Sequence, residues 1–456
     1  MKTKRLQKNR AQAAFLLATM LWLLAANAHA QEQTQHLPVV KCDTSIVREL
    51  DEQNRLVYNE IHNYPCFIKF HDNSLTAPAL QLPREVKVRD FIVHEGFVYF
   101  CGSISDANFN TQAVLGYFDL QNFPVSSVQY VQVNTLKSFE RMTHYVVYNT
   151  EQKLHLVMTA VASNSVQALA DAYFSSIGSW RFRVSVANTE FASHRLDNLI
   201  TTNNYVVLAS RTHDPLTPTG HLWCFERPQV PTGNIFSVSI RHNPTNIVSL
   251  SRVLLESLGH RHGLANEYAV VFDTKFQDAF DVVRYNGIHY QNTVRVSHDY
   301  FSIYTPIDMT FDTESNSLEI LLKHKVQNSL PFPTNGPQKL PHSIMDMAYP
   351  TLLAGGSVPT RTYRDETMHS LTRLVHHPGR FISSGFNNAE YTLRLYSFHR
   401  SSDGGCSELG ENNSTIVDHK REFKDMELPE TITKIGIPQT MQTQYDFYSI
   451  RTICNQ

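Results

Sequence analysis

Four short segments rich in β-branched and aromatic residues follow one another between Val86 and Val133, and they constrain the fold more than any other feature. Turn-type residues separate each segment from the next, beginning with Glu95-Gly96. Glycine takes the positive φ of a hairpin turn at no steric cost. The segments cover residues 86–93, 97–101, 114–118 and 128–133. Because each is short and bounded by turns, the pattern predicts four antiparallel strands joined by hairpins.

Similar groups of segments recur along the chain. Their first strands begin near residues 90, 143, 197, 265, 307, 345 and 373. Four antiparallel strands in about 40–50 residues match the size of one propeller blade. The spacing is irregular and the last step is too short for a full blade, so six and seven blades both remain open. Over residues 86–400 the chain resembles secreted β-propeller repeat proteins as a structural class.

The predicted fold is therefore all-β: a six- or seven-bladed β-propeller of four-stranded antiparallel blades, with short helical insertions and disulfides. Two segments predict the helical insertions. Residues 249–258 carry apolar side chains at helical spacing, and Gly259 would end that helix. Residues 166–174 are interpreted as a helical turn. Insertions of this kind lie on one face of a propeller, where binding loops collect.

The N-terminus carries the features of an export signal. Five basic residues among the first ten precede an apolar run over residues 11–26, and Ala28-His29-Ala30 is a small-x-small cleavage motif. We predict a signal peptide over residues 1–30 and a mature chain that begins at Gln31. The apolar run is too short to span a bilayer, so we expect no membrane span in the mature chain. The pattern does not distinguish the periplasm, the outer surface and secretion.

The mature chain divides into three further parts. Residues 31–85 are predicted to supply N-terminal strands that contribute to ring closure, residues 86–400 form the blades, and residues 401–456 form a C-terminal extension with a closing strand. A closed ring leaves no unpaired sheet edges, so strands from the two chain ends are expected to meet. Residues 39–47 and 445–453 are the candidates for that pairing.

All six cysteines lie after the predicted signal peptide. An even number in an exported chain indicates disulfides, although the connectivity is not determined by the sequence. Cys406 and Cys454 flank the C-terminal segment and are predicted to bond to each other. Cys101 and Cys224 lie within β-type segments, where a buried free thiol is an equally good interpretation.

Histidine is frequent, with 22 residues, and His260 and His262 are the closest candidates for metal ligands. On a strand they would share one face and could hold a divalent ion with a third ligand from elsewhere. Gly259 and Gly263 flank them, which favours a solvated loop. We therefore predict neither a metal site nor a cofactor.

Four predicted blades share an apolar-Asp element near the start of a strand. An aspartate at this position commonly caps a turn through the backbone, and this is the first interpretation. The alternative is that these carboxylates surround a central channel, where two facing carboxylates could hydrolyse a glycosidic bond. The residues are Asp90, Asp197, Asp308 and Asp346. No Gly-x-Ser-x-Gly motif and no phosphate-binding glycine loop is present in the sequence.

One fragment, residues 401–407 (Ser-Ser-Asp-Gly-Gly-Cys-Ser), resembles the Asp-box of sialidase-like propellers. Glu408 stands where that motif has an aromatic residue, and the fragment occurs once, whereas that family repeats it from blade to blade. Asp-boxes are structural turns remote from catalysis. A hairpin or linker turn is therefore the preferred interpretation.

The charge balance argues against a nucleic-acid partner, because the formal net charge is −2 and such partners favour a basic face. The leading functional prediction is an exported, non-enzymatic propeller that presents loops to a protein or glycan partner. Trp180 and Trp223 are the candidate binding residues, because aromatic anchors dominate interfaces. The alternative is a propeller-type carbohydrate-active hydrolase or lyase that uses the channel-facing carboxylates.

Overall fold

The structure is a computed structural model. It describes residues 33–38, 46–51, 53–61, 64–71, 76–147, 153–174, 180–186, 194–212, 219–227, 235–240, 250–259, 266–274, 279–297, 304–324, 342–363, 371–377, 380–387, 392–399, 407–417, 423–426, 431–435, 437–444, 447–449 and 451–452. Within these ranges the chain is almost entirely β-strand, with one six-residue helix, so the all-β prediction is confirmed.

In chain order the strands are β1 Gln33–Pro38, β2 Ile46–Glu49, β3 Asn54–Ile61, β4 Tyr64–His71, β5 Thr76–Gln81, β6 Val86–His94, β7 Phe97–Ser105, β8 Thr111–Asp119, β9 Ser127–Val133, β10 Leu136–Val147, β11 Lys153–Ala162, β12 Gln167–Phe174, β13 Trp180–Val186, β14 His194–Thr201, β15 Tyr205–Thr212, β16 Gly220–Glu226 and β17 Ile235–Ile240. They continue as β18 Leu250–Ser257, β19 Glu267–Thr274, β20 Ala279–Asn286, β21 His289–Ser297, β22 Tyr304–Asp312, β23 Ser317–His324, β24 His342–Ala348, β25 Gly356–Tyr363, β26 Leu371–His377, β27 Arg380–Asn387, β28 Thr392–His399, β29 Ser407–Val417, β30 Lys424–Met426, β31 Thr431–Ile435, β32 Ile437–Gln442, β33 Phe447–Ser449 and β34 Arg451–Thr452. The helix, α1, is Tyr349–Ala354.

These strands form several antiparallel sheets, each built around a group of strands that follow one another in the chain. In the described residues six groups have four consecutive strands: β2–β5, β6–β9, β10–β13, β14–β17, β18–β21 and β22–β25. A seventh group, β26–β28, gains its fourth strand from β1. The predicted hairpin at Glu95-Gly96 is confirmed, because β6 ends one residue before it and both residues have positive φ, as a type I′ turn requires.

The chain after β28 runs back along the sheets and adds a short strand to the outer edge of each group. In turn, β30, β31, β32 and β33 pair with β17, β13, β9 and β5, and β34 pairs with β1. Strand β29 lies between β21 and β25, so two groups merge into one nine-stranded sheet. The end strands of that sheet, β18 and β22, contact each other, and the sheet curls nearly closed. Covering edge strands in this way removes pairing sites for other chains.

The first strands of the seven groups form one continuous series of contacts. Each of β2, β6, β10, β14, β18 and β22 contacts the first strand of the next group, and β26 returns to contact β2. Six of these strands, all except β2, carry a register irregularity against their hairpin partner. A bulge bends a strand and changes the direction of its side chains. The first strands therefore place polar side chains where the groups meet.

Both predicted helical segments are wrong, since residues 250–257 form β18 and residues 167–174 form β12. Short apolar stretches do not distinguish a helix from a strand that is buried on both faces. Val253, Leu254 and Leu255 are consecutive and all buried, which fits the strand. The helix in the described residues is α1, and Pro350 lies in its first turn, where proline is tolerated.

The chain ends meet through β1 and β34: the C-terminal strand lies within the predicted segment, but the N-terminal strand does not. The N-terminal strand that joins the last group is β1, over residues that precede the predicted 39–47 segment. The predicted 445–453 segment contains β33 and β34. The signal peptide over residues 1–30, the Asp-box fragment over 401–406, and residues 39–45 lie outside the described residues.

The cysteines that the structure describes carry no disulfide. Cys66, Cys101 and Cys224 are buried free thiols, so the free-thiol interpretation holds for the last two. Burial raises the pKa of Cys101 well above its usual value and raises that of Cys224 to about 12, which keeps both thiols protonated. The predicted partners Cys406 and Cys454 lie outside the described residues.

Candidate functional site

A cavity of about 360 Å³ lies where the first strands meet, and all seven of them contribute to its wall. Side chains that can carry charge or donate hydrogen bonds face it from six strands in turn. They are Arg48, Glu49, Asp90, Arg141, Asn198, Glu256, Asp308 and Thr310. A concave site with a few convergent polar groups is where a small ligand binds most often, and this volume is at the lower end of the usual range of about 300–1,000 Å³.

Asp90 holds three first strands together. Its Oδ1 accepts hydrogen bonds from Arg48 Nη2 on β2 and from the backbone N–H of Phe91, each at 2.9 Å. Its Oδ2 accepts the backbone N–H of Met142 on β10 at 3.0 Å. Hydrogen bonds to a charged acceptor are stronger than neutral ones, and all three are shielded by the burial of Asp90. This carboxylate therefore fixes β2, β6 and β10 relative to one another.

The same arrangement recurs around the cavity. Asp308 Oδ2 accepts the backbone N–H of Leu374 on β26 at 2.8 Å, which joins β22 to the last group. Asn198 Nδ2 donates to the backbone carbonyl of Leu255 at 3.2 Å and so joins β14 to β18. Hairpins join strands only within a group. The side chains of Asp90, Asn198 and Asp308 therefore supply polar links between groups.

Glu256 is a cavity-lining acid with a strongly perturbed pKa. Burial, and after it the negative charge of Asp308, raise its pKa, whereas a backbone hydrogen bond from Phe311 and the charge of Arg48 lower it, and the net result is a pKa of about 8. Desolvation favours the neutral form of a carboxyl group. Glu256 is therefore largely protonated at pH 7. A perturbed acid in a cleft marks a candidate functional residue.

Two of the four aspartates predicted from the sequence, Asp90 and Asp308, come together in the cavity. Asp197 occupies the bulge of β14, so its neighbour Asn198 faces the cavity instead. The Asp197 carboxylate pairs with Arg211, with an N–O separation of 3.0 Å. Asp346 lies on β24, the third strand of its group, opposite Glu319. A bulge shifts which residue faces inward, and a sequence pattern with a period of two does not reveal that shift.

The two predicted aromatic binding residues lie in the core. Trp180 is 2% exposed and packs against the rings of Tyr99 and Tyr117, with centroid separations of 6.2 and 5.9 Å. Trp223 is 3% exposed, and its Nε1 donates to Ser210 Oγ at 2.8 Å. In this structure both rings serve packing, and neither forms part of an exposed aromatic face.

A different aromatic residue, missed in the sequence, is presented to solvent. Phe109 is 89% exposed and has a φ of 63°, at the tip of the loop between β7 and β8. Asp106 Oδ1 accepts the backbone N–H groups of Asn108 and Asn110, each at 2.8 Å, and the Asp106 carbonyl accepts the N–H of Phe109 at 3.0 Å. The alternating Asp-x-Asn-x-Asn pattern was the available signal, because such side chains close tight turns.

The metal-site candidates His260 and His262 lie outside the described residues. Across the ranges that are described, no group of three or more potential ligand residues could hold a metal ion. The described part of the chain also holds no helix long and apolar enough to cross a bilayer.

No family model and no curated protein matches this chain. The cavity and the Phe109 loop are therefore the two features that bear on function. These two features lie on different parts of the groups: the cavity on first strands, and the loop between the second and third strands of one group.

Proposed function

We propose that the protein is an exported seven-bladed β-propeller that acts as a non-enzymatic module and binds a protein or glycan partner through its loops. Three features support seven blades: the seven groups of strands, the cyclic contacts of their first strands, and the shared cavity. Completion of the last group by β1 supports ring closure between the chain ends. Export is expected to yield a mature N-terminus at Gln31, which N-terminal sequencing would test.

Phe109 is the observation that carries the binding proposal. A solvent-exposed aromatic ring forgoes the favourable free energy of burial. The positive φ of Phe109 is also uncommon for a residue other than glycine. Five hydrogen bonds between Asp106 and residues 108–110 nevertheless hold the loop in this conformation. An ordered loop loses little entropy on binding, and a buried aromatic anchor contributes much of the affinity of an interface.

Site-specific photo-crosslinking in the native host tests this proposal. A photoreactive phenylalanine analogue at position 109 is expected to give a discrete adduct. The same analogue at Leu353, which is 45% exposed on α1, is the matched control and is expected to give none. Purified protein applied to a glycan array covers the other partner class, and Phe109→Ala is expected to abolish retention of any glycan that binds.

Two results would contradict the proposal. One is the absence of both a position-specific adduct and a retained glycan. The other is equal labelling at positions 109 and 353, because this would indicate non-specific contact. An adduct at position 109 that disappears on treatment with protease identifies a protein partner, and retention on the array identifies a glycan.

Glu256 and Asp308 favour a second candidate, a carbohydrate-active hydrolase. A protonated acid beside a second carboxyl group, in one cavity, is the arrangement that a glycosidase uses to protonate the leaving group. We rank it second because Asp90 and Asp308 each accept a backbone N–H from a neighbouring strand, which is a structural role. Turnover of a soluble glycan that is lost in both Glu256→Gln and Asp308→Asn would reverse this ranking.

A further inference from the structure

The cavity presents charges of both signs on different strands. Arg141 faces it from β10, whereas Glu256 and Asp308 face it from β18 and β22, and β14 lies between the two sets. Arg48 also lines the cavity, from β2, and it pairs with Asp90 at 2.9 Å. The charged residues that line the cavity are Arg48, Glu49, Asp90, Arg141, Glu256 and Asp308. One wall therefore offers a guanidinium and another offers two carboxyl groups.

We propose that this cavity binds a small zwitterion of the amino-acid type, with its ammonium group at Glu256 and Asp308 and its carboxylate at Arg141. Guanidinium groups recognise carboxylates through paired N–H donors, and a carboxyl group accepts hydrogen bonds from an ammonium. The volume of about 360 Å³ suits a ligand of that size. This inference concerns the cavity alone and does not rest on the partner proposed for the Phe109 loop.

Glu256 supplies a thermodynamic signature for the proposed ligand. An ammonium group placed beside it would favour the charged carboxylate, so binding near pH 7 would release a proton. Affinity is then expected to increase as the pH rises from 6 towards 9, through the pKa of about 8. A site that used only Arg141 would show no such proton release.

The test compares three probes with the same four-carbon chain by isothermal titration calorimetry: γ-aminobutyrate, butylamine and butyrate. We expect γ-aminobutyrate to bind at least about tenfold more tightly than either analogue, because each analogue loses one charge-assisted contact. Titration in two buffers of different ionisation enthalpy measures the released proton. Equal binding of butylamine and γ-aminobutyrate, or no binding of any probe at millimolar concentration, would overturn the proposal.

Two variants assign the charges, and a third serves as a control. Glu256→Gln and Arg141→Gln are each expected to weaken γ-aminobutyrate binding about tenfold or more, and Glu256→Gln to abolish proton release. Glutamine keeps a carbonyl that can accept the Phe311 backbone hydrogen bond, so the fold should persist, and thermal unfolding checks this. The control, Glu314→Gln, lies in the exposed turn between β22 and β23 and should bind as the wild type does.

Unchanged binding by folded Glu256→Gln protein would contradict the assigned site. Phe109→Ala should leave γ-aminobutyrate binding unchanged, since its loop does not line the cavity. Loss of partner binding in Phe109→Ala and loss of γ-aminobutyrate binding in Glu256→Gln are therefore separate results. Either proposal can fail without the other.

Discussion

Two neighbouring parts of the protein fill the buried space around their sheets with different kinds of side chain, aromatic in one and ionic in the other. Between the β2–β5 and β6–β9 groups, Phe67 packs against Phe91, Phe100 and Phe118, with ring centroids 5.2 to 5.7 Å apart. In the β10–β13 group the buried side chains include an ionic cluster. It consists of His155, Asp171 and Arg183, together with the flanking rings of Tyr145 and Tyr173.

The ionic cluster is built across adjacent strands. His155 Nδ1 lies 3.0 Å from Asp171 Oδ1, and the Arg183 guanidinium bonds to Asp171 Oδ2. Tyr145 stacks on the His155 ring with a centroid separation of 4.7 Å. A buried charge costs free energy unless its partners remain, whereas an apolar cluster depends on filled volume. The two regions should therefore respond differently to the same kind of mutation.

Phe67→Ala is expected to have the largest effect, because it removes the ring that the other three share. The free energy of unfolding should fall by about 3–5 kcal/mol. Denaturant unfolding measures this, and the loss should not depend on pH between 5 and 8. A loss below about 1 kcal/mol would mean that the aromatic cluster is not a tightly packed core.

Asp171→Leu should cost somewhat less, about 2–4 kcal/mol, because Arg183 is 25% exposed and can regain water. The informative comparison is the triple variant His155→Leu, Asp171→Leu, Arg183→Met. It should recover most of the loss, since an apolar replacement of a whole buried charge cluster is often neutral or stabilising. If the triple variant recovered none of the lost free energy of unfolding, the cluster would contribute stability beyond the mutual compensation of its charges.

The cavity wall combines apolar and charged side chains, and Glu256→Gln tests one of the charged ones. The folded-state pKa of Glu256, about 8, exceeds its usual value of 4.5, so its stabilising contribution is complete below about pH 4.5 and is lost as the pH rises through 8. Asp308 and Arg48 act on this group, and Glu49, Asp90 and Arg141 line the same cavity. Relative to wild type, the variant should gain roughly 1–3 kcal/mol between pH 5 and 9, measured by denaturant unfolding at each pH. A constant difference would contradict the shifted pKa.

Phe109→Ala should have the smallest effect on folding, within about 0.5 kcal/mol, because the ring is almost fully exposed. The same substitution is expected to remove partner binding. Thermal unfolding checks the first expectation. A loss of stability above about 1 kcal/mol would show that the ring packs against the protein and does not serve a partner.

The strand content was predictable because the signal is local. Around Glu95-Gly96, alternating residues of β6 and a turn with two positive φ values agree with each other, and the hairpin forms as predicted. The predicted helix over residues 249–258 was wrong because an apolar stretch buried on both faces has no period that distinguishes a strand from a helix. The sequence did not reveal that Trp180 and Trp223 are buried, because their burial depends on sheets that pack against them from elsewhere in the chain.

The sequence indicated two of the polar residues in the candidate site and missed others. Asp90 and Asp308 were singled out by their position near strand starts, and both line the cavity. Asn198 replaced Asp197 because the β14 bulge shifts the inward-facing position by one residue. Glu256 carried no sequence signal, since its shifted pKa arises from burial and from a carboxylate 52 residues away in the chain.

The sequence by itself determined that this chain forms many short antiparallel hairpins, because turn residues and alternation act between neighbours in the chain. The tertiary structure alone decided which carboxylates meet, which aromatic rings are buried, and how the C-terminal segment covers the outer strands. These outcomes depend on contacts between residues that are far apart in sequence. Strand bulges and desolvation then fix the orientation and the charge of each side chain, and neither effect is written in a local pattern.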